Sequence, residues 1–293
     1  MIQQLASIPD CLATIKSPPK QLYVRSADGK ALEVILSRRR IAIVGSRSIS
    51  GYGKKVTRDF ANDLAAPGLV VVSGLAIGVD AIAHQATLDA GGQTIAVLPS
   101  PVNKVYPRGH WRLAEDIIRQ GGALISEYHP DEAVAWRSNF VARNRLVSGL
   151  ADALLITEAT ADSGTLHTAK FAAKQGKKVF AIPGDITSPT SLGTNGLIST
   201  GKAMAVTSAQ DILDALANIS PDAGEVVRLP KKRVMGNNEH EQRIIGLLEQ
   251  GVSKASALLT GSGMTVSEFN RHLTMLEITA KIQPLGGDCW ALA

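Results

Sequence analysis

Short apolar runs rich in β-branched residues alternate with longer amphipathic stretches along most of the chain, and this alternation constrains the fold more than any other feature. Seven runs have the length and composition of strands: 41–45, 69–73, 94–98, 123–126, 153–157, 178–183 and 203–207. Nearly all are apolar on both faces, as expected for strands that helices cover on either side. The stretches that favour helices include 52–66, 79–90, 113–120, 139–150 and 165–175. Repeated strand–helix–strand units predict an α/β fold with a Rossmann-like, doubly wound, mostly parallel sheet.

The two ends of the chain differ from this central part. Residues 1–40 predict a lead-in extension, with an edge strand around Leu22-Tyr23-Val24 after a pair of prolines. Residues 220–238 contain two prolines and two glycines and predict an interdomain linker. Residues 239–293 predict three amphipathic helices and a hairpin, which is a winged-helix pattern. We therefore expect a Rossmann-like domain over 1–219 and a small C-terminal winged-helix domain.

The formal net charge of +5 permits binding to a polyanion. From Asn238 onward four basic residues stand against six acidic ones, whereas the part before it has 27 basic and 20 acidic residues. An anion-binding surface is therefore expected mainly on the Rossmann-like domain. The start of the chain lacks a signal-peptide pattern, and no apolar run reaches the ~20 residues that span a bilayer. We expect a cytoplasmic protein without a membrane partner.

Two small-residue turns follow predicted strands and open predicted helices. At Gly45-Ser46-Arg47, loop amides and the helix N-terminus predict an anion site, to which the arginine adds a planar donor fork. The spacing matches neither a nucleotide P-loop nor the dinucleotide fingerprint, and a tight turn with a solvated arginine explains it equally well. The second turn, at Gly74, precedes Asp80 and His84, which lie one helical turn apart. We interpret them as a hydrogen-bonded structural pair, because no nucleophile or metal set completes a catalytic site.

A later segment combines arginines with an aromatic ring and an amide: Arg137, Phe140, Arg143 and Asn144. A surface that binds a single nucleic-acid strand combines arginines, which bind phosphate, with aromatic rings, which stack on bases. Phe140 also fits a core position. Arg143 and Arg145 cannot both share a helical face with Phe140. We therefore expect at least one of them to be structural, capping the sheet edge or pairing with Glu158.

A third small-residue turn, Ser163-Gly164-Thr165, is a further potential anion cradle after a predicted strand. Lys170 lies on the helix that follows, where lysines more often form a solvated face, and Lys202 follows a glycine-containing segment. No single motif is specific. Together they predict a groove of amide donors with basic rims at the carboxyl edge of the sheet, where doubly wound folds bind ligands.

In their order along the chain, these motifs resemble the DNA-processing protein A family, also called DprA or Smf. The resemblance is carried by Gly45-Ser46-Arg47, Ser73-Gly74, Gly78-Val79-Asp80, Val105-Tyr106-Pro107, Ser126-Glu127-Tyr128, Arg143-Asn144-Arg145, Glu158, Ser163-Gly164-Thr165, Pro183-Gly184 and Gly193-Thr194-Asn195. It implies an extended Rossmann domain that binds single-stranded DNA, forms a homodimer and loads a RecA-type recombinase in natural transformation. By position, the resemblance implies that Arg47 holds a phosphate while Arg108 and Arg137 line the groove. It also implies that Phe140 stacks a base and that Lys202 closes the rim.

Two other functions are open alternatives. Phosphoribohydrolases and nucleotide sensors share related folds, but those enzymes carry a Pro-Gly-Gly-x-Gly-Thr loop followed by a catalytic Glu. Here Pro183-Gly184 is followed by Asp185, and Gly164-Thr165 lacks a Glu three residues on. The other alternative makes the winged helix a sequence-specific duplex reader, which its net negative charge disfavours. We expect a non-enzymatic protein that protects incoming DNA and needs no catalytic residue, metal or cofactor.

Overall fold

The computed structural model describes residues 1–28, 31–132, 137–217 and 234–292. The chain divides into two compact units, Met1–Leu229 and Pro230–Ala293, which we call unit 1 and unit 2. Of the linker predicted at 220–238, only 234–238 lies among the described residues. The predicted domain boundaries therefore stay predictions.

A nine-stranded sheet forms the centre of unit 1. Its strands are β1 (Ile2–Gln4), β2 (Tyr23–Ser26), β3 (Arg40–Val44), β4 (Val70–Ser73), β5 (Thr94–Val97), β6 (Ala123–Ser126), β7 (Ala153–Ile156), β8 (Lys178–Ala181) and β9 (Met204–Ala205). Their order across the sheet is β1-β2-β6-β5-β4-β3-β7-β8-β9. Only the β1–β2 and β2–β6 pairs are antiparallel among these strands. The prediction of an α/β fold with a doubly wound, mostly parallel sheet is confirmed.

Helices cover both faces of this sheet. They are α1 (Asp10–Ala13), α2 (Ala31–Leu36), α3 (Gly51–Ala65), α4 (Val79–Asp89), α5 (Trp111–Arg119), α6 (Arg137–Leu150), α7 (Thr165–Lys174), α8 (Leu192–Ser199) and α9 (Ala209–Ala217). Successive residues of β3 point to opposite faces, so Ile41 and Ile43 join the cluster under α3, α4 and α9. Ala42 and Val44 join the cluster under α6 and α7. This double burial explains why the strand is apolar on both faces.

The lead-in segment differs from the expectation. The strand around Leu22-Tyr23-Val24 is not an edge strand, because β2 lies between β1 and β6 and all three of these residues are buried. The edge is β1, in which Ile2 pairs with Arg25. A three-residue strand carries too few side chains to show an alternating pattern, so the sequence alone does not reveal it.

The direction of winding reverses between β3 and β7. From β3 the sheet grows through β4 and β5 to β6 on one side, whereas β7, β8 and β9 extend it on the other. The helix after β3 packs on one face of the sheet and the helix after β7 packs on the other. Connections that diverge in this way open a crevice at the carboxyl ends of the two neighbouring strands.

Unit 2 contains three helices followed by a hairpin, in the predicted order. They are α10 (Glu239–Glu249), α11 (Ala255–Ser262), α12 (Val266–Ile278), β10 (Ile282–Gly286) and β11 (Cys289–Leu292). Ile244, Leu258 and Phe269 lie in its small core. The assignment of this unit as a winged-helix domain remains a prediction. Within the described ranges, no helix of either unit combines the length and the apolar character needed to cross a bilayer.

Candidate nucleic-acid interface

A cleft of about 390 Å³ opens at the carboxyl ends of β3, β4 and β7. It brings together most of the site residues that the sequence predicts: Gly45, Ser46, Arg47, Gly74, Phe140, Arg143, Asn144, Ser163, Gly164 and Thr165. These residues come from three turns and from α6, which are far apart in the chain. Parallel strands assemble them because their carboxyl ends all meet at one edge of the sheet.

The mouth of this cleft carries an exposed cation beside an aromatic ring. The guanidinium carbon of Arg47 lies 5.2 Å from the centre of the Phe140 ring. Phe140 is half-buried and lines the cleft, so it is not a core residue. Its ring meets that of Tyr106 edge to face, with centroids 5.3 Å apart and planes at 76°. A guanidinium next to an accessible ring suits a phosphate and an unpaired base.

The deep side of the cleft is built around a buried arginine. Arg143 donates from Nη1 to the carbonyl oxygens of Gly74 and Val97, at the ends of β4 and β5. The carboxylate of Asp80 accepts the amides of Gly74, at 3.1 Å, and Ala76, at 3.3 Å. Burial lowers the pKa of Arg143 to about 10, with Asp80 opposing that shift, so the guanidinium stays charged at neutral pH. Burial likewise raises the pKa of Asp80, and Arg143 opposes it.

We call Gly74, Asp80 and Arg143 the inner wall, and Arg47, Phe140 and Gly164 the rim. The two glycines show how the regions differ. A Cβ atom on Gly74 would overlap the Arg143 guanidinium, so the inner wall requires glycine there. A Cβ atom on Gly164 would meet nothing within 4 Å, which leaves the rim open for a ligand.

Many backbone amides of these turns already have partners inside the protein. The Ser46 amide donates to the Glu158 carbonyl at 2.8 Å, and the Thr165 amide donates to Ser163 Oγ at 3.2 Å. The amides of Gly74 and Ala76 are taken by Asp80, as described above. These four amides are therefore engaged within the protein, and the expected row of free amide donors is interrupted at their positions. The exposed guanidinium of Arg47 is therefore a stronger candidate for anion binding than these engaged amides.

Of the two structural roles expected for Arg143 or Arg145, capping the sheet edge is the one observed, because Arg143 bonds to the strand-end carbonyls of Gly74 and Val97. Neither Arg143 nor Arg145 pairs with Glu158, which instead accepts the amide and hydroxyl of Ser50 at 2.9 and 2.6 Å. Arg145 pairs with Glu127 through its two terminal nitrogens, Nη1 and Nη2, which donate to the carboxylate at 2.9 and 2.7 Å. Both arginines therefore have structural contacts, in agreement with the expectation that at least one of them is structural.

Asp80 and His84 do not form the expected hydrogen-bonded pair either. The fully buried His84 bonds through Nδ1 to Thr94 Oγ1 at 2.7 Å, and its Nε2 has no partner in the described part of the chain. Burial lowers the pKa of His84 to about 3. Residues four positions apart lie on the same face of a helix, but here Asp80 accepts backbone amides whereas His84 bonds to Thr94.

Three of the other four predicted site residues line different clefts. Arg108 lines a neighbouring cleft on the loop between β5 and α5. Lys170 and Lys202 lie together at a groove between α7 and α8. Arg137 is the first residue of α6, and its side chain lies outside the described residues.

The sequence pattern does not predict Tyr106 and Trp111 as site residues, although both are exposed beside Arg108. The signal that could have identified them is their position. Two large aromatic residues flank an arginine in a loop that contains proline and glycine, in a chain with only 4% aromatic residues.

A family model described as DNA recombination-mediator protein A matches residues 1–217. Protein Smf of Escherichia coli strain K12 is 44% identical over 261 residues, which are 85% of this chain and 66% of that protein. DNA processing protein DprA of Bacillus subtilis strain 168 is 36% identical over 208 residues, 71% of this chain and 68% of that protein. The chain thus spans about two thirds of the length of these curated relatives, and 61% of a Mycobacterium tuberculosis relative.

Two solved structures are similar to this chain. DNA processing protein A from Helicobacter pylori, whose structure was described for its single-stranded DNA binding mode, has a TM-score of 0.66 and 33% identity, covering 74% of this chain and 96% of that one. DprA from Streptococcus pneumoniae has a TM-score of 0.65 and 36% identity, covering 73% and 74% respectively. Both likenesses cover about as much of the chain as the family match.

Proposed function

Because the chain belongs to the DNA recombination-mediator protein A family, we propose that it binds single-stranded DNA in the cleft at the carboxyl edge of its sheet. The observation that carries this proposal is the rim, where the exposed Arg47 lies against the Phe140 ring. The guanidinium can bind a phosphate, and the ring can stack on an unpaired base. The similar Helicobacter pylori protein, known for its single-stranded DNA binding mode, supports the same ligand class.

A single strand fits this rim better than a duplex does. The bases of a duplex are stacked on each other, so they are not available to the ring of Phe140. The contacts also differ from those of a nucleotide site, because the spacing of a P-loop is missing and several loop amides are engaged internally. A flexible strand can follow exposed cations and rings at one edge of the sheet.

We further propose that the protein acts without catalysis in the cytoplasm, protecting incoming DNA as a homodimer and loading a RecA-type recombinase in natural transformation. The family description as a recombination mediator supports this role. Unit 2 would then be a winged-helix domain with a minor part in DNA binding, because acidic residues outnumber basic ones there. A chain that ends near Asn238 should retain most of its affinity for single strands.

Fluorescence anisotropy with labelled oligothymidylate tests the main proposal. We expect the affinity to fall as the salt concentration rises. We also expect unlabelled duplex to compete for binding less effectively than unlabelled single strand. Arg47→Ala should lower the affinity by about 10- to 150-fold, because a hydrogen bond to a charged group contributes roughly 1.5–3 kcal/mol. A preference for duplex would contradict the proposal.

Arg119→Ala is the matched control for this substitution. Arg119 is an exposed arginine at the end of α5, which leads back to the amino end of β6 and thus to the opposite edge of the sheet. The Arg119→Ala substitution removes the same charge from unit 1 as Arg47→Ala does, but it changes no residue of the cleft. Equal losses in Arg47→Ala and Arg119→Ala would mean that only net charge matters.

A further inference from the structure

The loop between β5 and α5 forms a second cleft, of about 530 Å³, which we call the loop cleft. Its lining combines two aromatic rings with two basic side chains: Tyr106, Trp111, Lys104 and Arg108. Tyr106 is 42% exposed and Trp111 is 46% exposed. Exposed rings among basic groups are the features of surfaces that bind single-stranded nucleic acid.

Tyr106 connects the loop cleft to the rim of the first cleft. Its ring meets the edge of Phe140 at 5.3 Å between centroids, and Arg47 lies on that same phenylalanine. The three aromatic residues therefore follow one another at the same edge of the sheet. A strand that leaves the first cleft over Phe140 reaches the loop cleft next.

The loop cleft is held in shape by contacts within the protein. The guanidinium carbon of Arg25 lies 5.1 Å from the centre of the Trp111 ring, and Arg25 is fixed in turn by Glu115 at 2.7 Å. His110 Nδ1 bonds to the Leu75 carbonyl at 2.8 Å, which ties the loop to the turn after β4. A platform that is already ordered loses little entropy when a ligand binds.

The two cations of the loop cleft differ in availability. Lys104 Nζ donates to the carbonyl of Glu132 at 2.6 Å, so it is engaged. Arg108 is exposed, and no hydrogen bond or ion pair holds its guanidinium within the described residues. Arg108 is therefore the group that can bind a phosphate here.

We propose that the loop cleft is a second nucleotide subsite, where Trp111 and Tyr106 stack unpaired bases and Arg108 binds the accompanying phosphate. The subsite extends the single-stranded DNA site, and so it rests on the proposed function. Its ligand is the part of a strand that continues beyond the first cleft. A strand long enough to fill only the first cleft would not reach it.

Length-dependent binding of the full chain tests this subsite. Oligothymidylates of about 4 and about 16 nucleotides bracket the site sizes of single-strand binding surfaces. With the long oligonucleotide, Trp111→Ala should bind roughly 5- to 150-fold more weakly than the unchanged protein, as expected for the loss of one stacked base. With the short one, its affinity should be unchanged. Trp111→Phe keeps a ring and should retain most of the long-strand affinity.

A second variant avoids any effect on folding. Arg108→Ala removes an exposed side chain, and it should lower the salt dependence of binding by about one phosphate contact, only for the long oligonucleotide. If Arg47→Ala loses binding while Trp111→Ala and Arg108→Ala bind the long strand normally, the subsite is wrong and the proposed function stands. Equal losses for both lengths would also overturn the subsite. If the unchanged protein binds neither oligonucleotide, the proposed function itself fails.

Discussion

The inner wall and the rim of the cleft each contain an arginine and a glycine but use them in opposite ways. Arg143 in the inner wall is buried and bound to strand-end carbonyls, whereas Arg47 in the rim is exposed. Gly74 is required by the arginine packed on it, whereas Gly164 faces open space. The difference teaches that a basic residue or a glycine at this edge of the sheet does not by itself indicate contact with DNA. We therefore expect substitutions in the inner wall to change stability, and substitutions in the rim to change binding.

The largest expected effect is the loss of Arg143. Arg143→Met removes a buried charge and leaves two carbonyls and the nearby Asp80 without their partner, so the free energy of unfolding should fall by about 3–5 kcal/mol. Urea denaturation measures this change. Arg119→Met is the control, and it should change stability by less than about 0.5 kcal/mol. An equally small change for Arg143→Met would break the distinction between the two regions.

Acid should weaken the protein through His84, which lies next to the inner wall on α4. Its pKa is about 3 in the folded chain, below the value of 6.5 that an exposed histidine has. Between these two values the unfolded chain takes up a proton that the folded chain does not. The free energy of unfolding should therefore fall by up to about 1.4 kcal/mol per pH unit below pH 6.5, or about 2 kcal/mol at pH 5. It should not depend on this group above pH 7.

His84→Gln separates this contribution from those of other titrating groups. Glutamine can keep a hydrogen bond to Thr94 but cannot take up the proton. Stability measured from pH 7 to pH 5 should then fall less steeply than in the unchanged protein. Identical slopes would show that the buried histidine is not the group responsible.

The smallest effects are expected from matched substitutions of Gly74 and Gly164, which compare the two regions directly. Gly74→Ala forces the Arg143 guanidinium to shift and should cost about 1–3 kcal/mol, as overpacking usually does. Gly164→Ala adds a methyl group to open space in right-handed backbone, at φ −56°, and should change stability by less than about 0.5 kcal/mol. Thermal unfolding of the two variants compares them directly. Similar losses would mean that both turns are equally constrained.

Much of unit 1 follows from local pattern. The central strands were predictable because each is apolar on both faces and is bounded by small residues, as at Ile41 to Gly45. The turns after these strands pointed to the edge of the sheet where the cleft lies. In contrast, β1 and the short helix α8 have too few residues for a periodic signal. The winged-helix assignment of unit 2 and the predicted contacts with DNA remain predictions.

The sequence by itself determined the α/β class, the carboxyl-edge location of the cleft and the family, because these depend on periodicity and on the order of small-residue turns. Only the tertiary structure decided which arginine is buried, which amides are engaged, and that Tyr106 and Trp111 lie next to the cleft. Those properties depend on contacts between residues distant in the chain, such as Arg143 with Gly74 and Val97. No local pattern encodes such contacts, since an arginine and a glycine occur in both the inner wall and the rim.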